Sequence, residues 1–429
     1  MRSFPRRVRT FLRVARGVAT SPRSFVRDLR ILLGRYAARG GGVAYLPETS
    51  HVTRSLPFRV GSDEPHLNVM VPGLADWALT GGPNTAIALA LRLARNGLPV
   101  RLVSTDVPAD EPEELWRHFR TLLDVDRLDN VSIADATKAP VAIGRDDVFL
   151  ATAWWTVHGL KEMLAATSAR EFLYLIQDFE PGFYPWSTSY AFALQTYAFP
   201  FRAIVNERML LDHFVERRIG RFGEAGFADT AAVFEPAVDE RHFYPEPRPD
   251  GRRLRLLFYA RPSAPRNLFE IGLDALRAAA AAGVLDGWEL LAMGEKIGTI
   301  RLSRDVVLKS APWLSFDEYA AFVRSADLGL ALMLSPHTGY PVLEFAASGV
   351  PVVTNCYSTK TRDTLAAISP AIAAAEPTVE SVGAALRQSV ERPRADRPTE
   401  RQISLPGSWD ESLEPLVPQV REIIAELRR

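Results

Sequence analysis

Three stretches of this chain gather side chains that can handle phosphate and hydroxyl groups. Residues 335–354 read SPHTGYPVLEFAASGVPVVT. There His337, Thr338, Gly339 and Tyr340 form a small polar loop ahead of Pro341, a residue suited to a first helical position. The free N–H groups of a helix starting there would face an anion, and His337 could add charge. Glu344 lies one turn into that helix and is the only acid between Asp327 and Asp363. A lone carboxylate in that place suits a pair of ribose hydroxyls. Residues 259–267, YARPSAPRN, follow an apolar run and carry Arg261 and Arg266. Two guanidinium groups can neutralise a diphosphate, because each offers a bidentate fork. Residues 177–186, QDFEPGFYPW, set Asp178 and Glu180 among aromatic rings. Either carboxylate is a candidate base for a hydroxyl, and aromatic faces stack on sugar C–H surfaces.

Two weaker features belong with these. Gly81 and Gly82 precede a helix with Thr85 in its first turn, so backbone could approach an anion closely there. His158 follows an apolar run and is a further candidate base or hydroxyl donor. Asp124-Val125-Asp126 has a D-x-D form that binds metal in some enzymes, but it sits among other acids and reads as a solvated turn. No His, Cys or carboxylate cluster has metal-ligand spacing. The dinucleotide G-x-G-x-x-G, the Walker lysine motif and the G-x-S-x-G elbow are absent.

The elements that must carry these residues alternate between apolar strands and amphipathic helices. Strands are expected at 66–71, 99–105, 131–135, 147–152, 171–177, 202–206 and 231–238, with helices between them. A second series starts at 254–260 and continues through strands at 288–294, 306–310 and 328–334. A helix over 341–348, stopped by Gly349, leads to a strand at 351–355. Such alternation builds doubly wound parallel sheets. The candidate loops all follow strands, at the carboxyl edge where open α/β sheets bind ligands.

Composition sets the limits. With 429 residues, 47% hydrophobic and 24% charged, the chain has the size and balance of two globular domains. Net charge is zero, so nothing in the total points to a nucleic-acid partner. The single Cys356 precludes an intrachain disulfide and fits a reducing, cytoplasmic compartment. Residues 1–40 hold eleven arginines against one acid, Asp28, with apolar residues at helical spacing. A basic amphipathic arm of this kind favours peripheral contact with anionic lipid on the inner face of a membrane.

Together these strings resemble the nucleotide-sugar signature of GT-B glycosyltransferases, and of the large family 4 in particular. That signature is E-x7-E followed by G-x-P-V-V; here Gly339, Glu344, Gly349, Pro351, Val352 and Val353 match. Pro336 stands where the first glutamate belongs. QDFEPGFYPW, SPHTGYPVLE and the GG-x-x-T-A start closely resemble bacterial rhamnosyltransferases of the WsaF type. The resemblance implies a GT-B fold, two Rossmann-like domains facing each other across a cleft, with the C-terminal helix crossing back. It implies dTDP-L-rhamnose as donor, a glycan or lipid-linked glycan acceptor, no metal and no further cofactor. Arg261, Arg266, 337–340 and Glu344 would then hold the donor. Gly81, Gly82 and Thr85 would lie near the diphosphate and acceptor, with Asp178, Glu180 and His158 as catalytic candidates. The expected organisation is a basic helical arm (1–42), an acceptor domain (43–235), a linker (236–253), a nucleotide-sugar domain (254–400) and a C-terminal helix (401–429). The Pro336 departure also fits a second reading, a polysaccharide-binding or scaffold protein with a decayed GT-B fold.

Overall fold

A computed structural model describes residues 53–61, 64–79, 81–247, 251–312, 314–391 and 398–429. The basic arm expected over 1–42 lies outside the described residues. The first half contains β1 (Phe58–Val60), β2 (Leu67–Gly73), α1 (Gly82–Arg95), β3 (Val100–Val107), α2 (Pro112–Leu123), β4 (Val131–Asp135), β5 (Val141–Ile143), β6 (Val148–Ala151), α3 (Trp154–Ala165), β7 (Phe172–Ile176), α4 (Thr188–Thr196), β8 (Phe201–Asn206), α5 (Arg208–Glu216) and β9 (Ala232–Phe234). The second holds β10 (Arg255–Ala260), α6 (Phe269–Ala281), β11 (Glu289–Gly294), β12 (Thr299–Arg301), β13 (Val307–Ser310), α7 (Phe316–Arg324), β14 (Leu328–Leu330), α8 (Tyr340–Ala347), β15 (Val352–Asn355), α9 (Arg362–Ile368), β16 (Ile372–Ala375), α10 (Val379–Glu391), α11 (Trp409–Leu413) and α12 (Val417–Leu427).

Each half is built on one seven-stranded sheet. The first has the order β4-β3-β2-β6-β7-β8-β9, and every pairing in it is parallel. The second runs β12-β13-β11-β10-β14-β15-β16, parallel except for the β12–β13 edge. Strands such as β7, FLYLI, are buried on both faces, which is why they read as continuous apolar runs. The chain order reverses between β2 and β6 in the first sheet, and between β10 and β14 in the second. Loops at such switch points splay apart and leave room for a ligand. The loops after β2, β10 and β14 are the ones that carry Gly81 and Gly82, Arg261 and Arg266, and His337 to Tyr340.

The chain then returns to its first sheet. Leu413, Leu416, Val417, Val420, Ile423 and Ile424 are buried in the core built on β2, β3 and α1. The return is a broken helix, because Pro415 and Pro418 interrupt what apolar spacing alone would make continuous. The described start of the proline-rich stretch expected as a linker is packed down. Val238 and Phe243 are buried in the core beside α8, and Val238 N and Glu240 N donate to Pro406 O and Gly407 O, both at 3.0 Å. The outgoing and returning segments therefore run side by side.

Candidate functional site

The second sheet's loop is held from below. Only 328–330 of the expected strand 328–334 pairs as a ladder. Beyond it, side chains replace the ladder: Met333 N donates to Asn355 Oδ1 at 2.7 Å, and Met333 O accepts from Asn355 Nδ2 at 3.0 Å and Lys360 Nζ at 2.7 Å. Lys360 is fully buried, and burial pulls its pKa down to about 8. Gly339 sits at φ 87°, a conformation that favours glycine, and a Cβ there would meet Met333 Cε at 3.0 Å. The chain turns there into α8, whose first turn contains Pro341.

Glu344 is half-buried on α8 and accepts from Tyr319 Oη of α7 at 2.5 Å. Burial raises its pKa to about 7, against the effect of that hydrogen bond. The carboxyl therefore changes charge near neutrality, and it has one oxygen left for a ligand hydroxyl. Arg261 is partly exposed, its Nε 3.7 Å from Glu295 Oε1. Arg266 behaves differently. Its guanidinium lies over the Phe183 ring at 3.9 Å, with Nη2 3.6 Å from Asp178 Oδ2. Arg266 thus joins the QDFEPGFYPW loop of the first half to the second sheet.

Asp178 is 7% exposed and follows β7 at its carboxyl end. Its Oδ1 accepts from Ser335 Oγ across the seam and from its neighbour Phe179 N at 2.8 Å. Glu180 points the other way, into the core, where Tyr174 Oη donates to its Oε2 at 2.8 Å. Burial raises its pKa to about 8, so it holds its proton at neutral pH. Glu180 is thus a neutral carboxyl two residues from Asp178, kept so by its burial.

The glycine loop reaches the same region. Gly82 O accepts from Gln177 Nε2 at 3.1 Å, and Thr85 Oγ1 is 3.4 Å from Tyr340 Oη in the second half. His158 does not join this group. It lies inside α3, 5% exposed, its Nε2 3.2 Å from Phe192 O and its ring edge-on to Trp154, Phe192 and Phe199. Burial lowers its pKa, and its contacts are those of a core residue. The Asp124 and Asp126 side chains are exposed and pair with Arg241 and Arg120 at 3.2 and 2.9 Å. Among the described residues no group of three or more His, Cys, Asp or Glu is placed to hold a metal, and no helix is long and apolar enough to cross a membrane.

Five contributors were not picked out by sequence reasoning: Asn206, Glu207, Tyr319, Asn355 and Lys360. Glu207 is the most consequential. It directly follows β8, at the same carboxyl edge as Asp178, yet its sequence context reads only as a helix start. In the structure its Oε1 accepts from Thr338 N at 2.8 Å and Thr338 Oγ1 at 3.3 Å. His337 Nδ1 lies 3.1 Å from the same oxygen. Burial pulls the His337 pKa down, but the Glu207 and Asp178 carboxylates together outweigh it, and the ring titrates above its ordinary value.

Two family models match the chain, the WsaF N-terminal domain over residues 66–206 and the WsaF C-terminal domain over 254–387. The chain belongs to the WsaF family. Its architecture is the GT-B fold. The O-antigen biosynthesis protein RfbC of Myxococcus xanthus is 35% identical over 244 residues, which is 57% of this chain and 18% of that protein. The chain therefore spans less than a fifth of that relative's length. Sucrose-phosphate synthase from Thermosynechococcus elongatus superimposes with a TM-score of 0.52 at 14% identity, over 85% of this chain and 99% of that one. At that identity the likeness is one of fold. Both WsaF-matched segments contain the strings singled out above, QDFEPGFYPW in the first and SPHTGYPVLE in the second.

Proposed function

We propose that this WsaF-family chain is a glycosyltransferase. It moves a sugar, L-rhamnose from dTDP-L-rhamnose, onto a glycan or lipid-linked glycan acceptor in bacterial surface polysaccharide synthesis. The observation that carries the reading is the meeting of Asp178 with Ser335 and Arg266, where loops at the carboxyl edges of the two sheets come together. The name of the RfbC relative supports the polysaccharide setting, and the WsaF resemblance supports rhamnose.

In this reading the bond between the anomeric carbon and the diphosphate breaks, and negative charge grows on the leaving diphosphate. Arg261, Arg266, His337 and the N–H groups opening α8 stabilise that charge, which is the main electrostatic demand of the step. These cations meet the diphosphate without a metal. Glu344 takes a hydroxyl of the nucleotide's ribose; thymidine diphosphate offers one and uridine diphosphate two. Asp178 takes the proton of the acceptor hydroxyl, and Glu180, protonated below about pH 8, stays a neutral neighbour. Asp178, Glu207 and Arg266 join the two halves directly, so these contacts must part to admit a donor and re-form around it. The basic stretch 1–40 would hold the enzyme at an anionic lipid surface.

Titration of the purified protein with dTDP-L-rhamnose, dTDP-glucose and UDP-sugars tests the reading. Micromolar binding of at least one nucleotide sugar, with release of its nucleotide in the presence of glycan, is expected. Absence of binding to every donor would sink the assignment. Tight binding without release under any acceptor condition would favour the decayed-fold alternative.

A further inference from the structure

Glu207 combines three unfavourable features. It is 1% exposed, it adopts φ 80° without being glycine, and its Oε2 has no hydrogen-bond partner. The neighbouring Asn206 is equally buried, and its Oδ1 is also unpartnered. A buried acceptor without a donor costs about 1–3 kcal/mol, and more when it carries charge. A non-glycine residue at such a φ adds about 1–3 kcal/mol. Such groups call for a partner that the chain itself does not supply, and a bound ligand can be that partner. Both orphan acceptors end β8 beside the loop 337–340, since Glu207 Oε1 already holds Thr338 and Asn206 is close enough to Tyr340 to influence its hydroxyl. A ligand that satisfies two acceptors here must bring several hydroxyl donors and little negative charge of its own, which describes a sugar ring and not a phosphate.

On the second sheet, the position where the family signature carries its first, sugar-binding glutamate is Pro336, which has no donor or acceptor in its side chain. We propose that Glu207, assisted by Asn206, reads the hydroxyls of the donor sugar, so that the acid missing at position 336 is supplied from the first domain. The inference rests on the nucleotide-sugar reading above and deepens it. Because Glu207 reaches the donor loop only when the two halves are together, sugar recognition and closure become one event. The sugar would then be sensed by the half that holds the acceptor, before transfer.

The test compares free dTDP with dTDP-L-rhamnose, or with whichever dTDP- or UDP-sugar the wild-type protein binds most tightly and its free nucleotide. Glu207→Gln keeps an oxygen for Thr338 and replaces the free carboxylate oxygen by an amide. It is expected to weaken nucleotide-sugar binding about tenfold or more, while the affinity for the free nucleotide changes less than about twofold. Asn206→Ala should show the same selectivity at about threefold, and it carries the comparison alone if Glu207→Gln fails to unfold cooperatively. Thr338→Val removes one partner of Glu207 and should not reproduce the selective loss. Equal losses for nucleotide and nucleotide sugar, no loss for either, or the same selectivity in Thr338→Val would each overturn the inference and leave Glu207 a structural latch. Failure of the wild-type protein to bind any nucleotide sugar would overturn the functional reading itself, before any variant is measured.

Discussion

Asp178, at the end of β7 in the first sheet, accepts a hydrogen bond from Ser335 Oγ in the loop that follows β14 of the second. The two residues are 157 positions apart in sequence, and each lies in a separately matched family segment. Their contact ties the carboxylate proposed as base to the loop proposed to hold the donor.

Replacing Asp178 by Asn keeps its shape and removes its charge. Steady-state turnover with donor and acceptor should fall about a hundredfold or more, the usual contribution of a positioned base. Donor affinity should change by less than about threefold. If affinity falls as far as turnover, Asp178 is a closure contact and the base lies elsewhere.

Glu344 gives a pH signature. Its pKa is raised to about 7, so the carboxylate form that accepts a hydroxyl grows as pH rises from 6 to 8. Affinity for dTDP should rise by up to about tenfold over that interval if only the ionised form binds. Glu344→Gln should flatten the curve, leaving only the phosphate's own titration. An unchanged slope in the variant would detach Glu344 from the nucleotide.

Glu180 gives a signature in stability. Its folded pKa, about 8, lies above the ordinary value of 4.5, so the folded state binds the proton more tightly than the unfolded state. The stabilisation is complete below about pH 4.5 and is lost as pH rises through 8. Glu180→Gln should therefore melt a few degrees higher than wild type at pH 9 and gain nothing at pH 5. Parallel melting curves at both pH values would show that Glu180 is not protonated in the fold.

The returning helix has a structural prediction of its own. Ile424 is 1% exposed and packs in the first sheet's core, more than 200 residues beyond β2 and β3, on which that core is built. Ile424→Ala should cost about 2–4 kcal/mol in urea unfolding, the range for a buried aliphatic truncated to alanine. A loss below about 0.5 kcal/mol would mean that the helix merely rests on the domain.

Much of this was legible in the sequence because strands buried on both faces and loops opened by Gly, Pro and Arg leave local marks. β4 and the helix stopped by Gly349 lie where the apolar runs and the glycine place them. What local pattern could not supply is pairing across the seam. Glu207 looks like the first residue of an ordinary helix until its φ and its contact with Thr338 are known. His158 looks exposed after a strand, yet three aromatic rings and a carbonyl enclose it. The short strand β16, IAAA, and helix α9 leave no such mark, because four and seven residues are too few to show a period. Asn355 and Lys360 end β14 early by taking over Met333's backbone bonds, and a run such as LGLALML gives no hint of that.

The proposed function stands or falls on a nucleotide sugar binding where the loops after β10 and β14 meet the first sheet. The structure of a complex with dTDP tests it most directly. The diphosphate is expected within hydrogen-bond reach of Arg261 and Arg266 at the start of α8, with a sugar hydroxyl of the nucleoside on Glu344. A nucleotide bound away from both arginines and from Glu344 would contradict it.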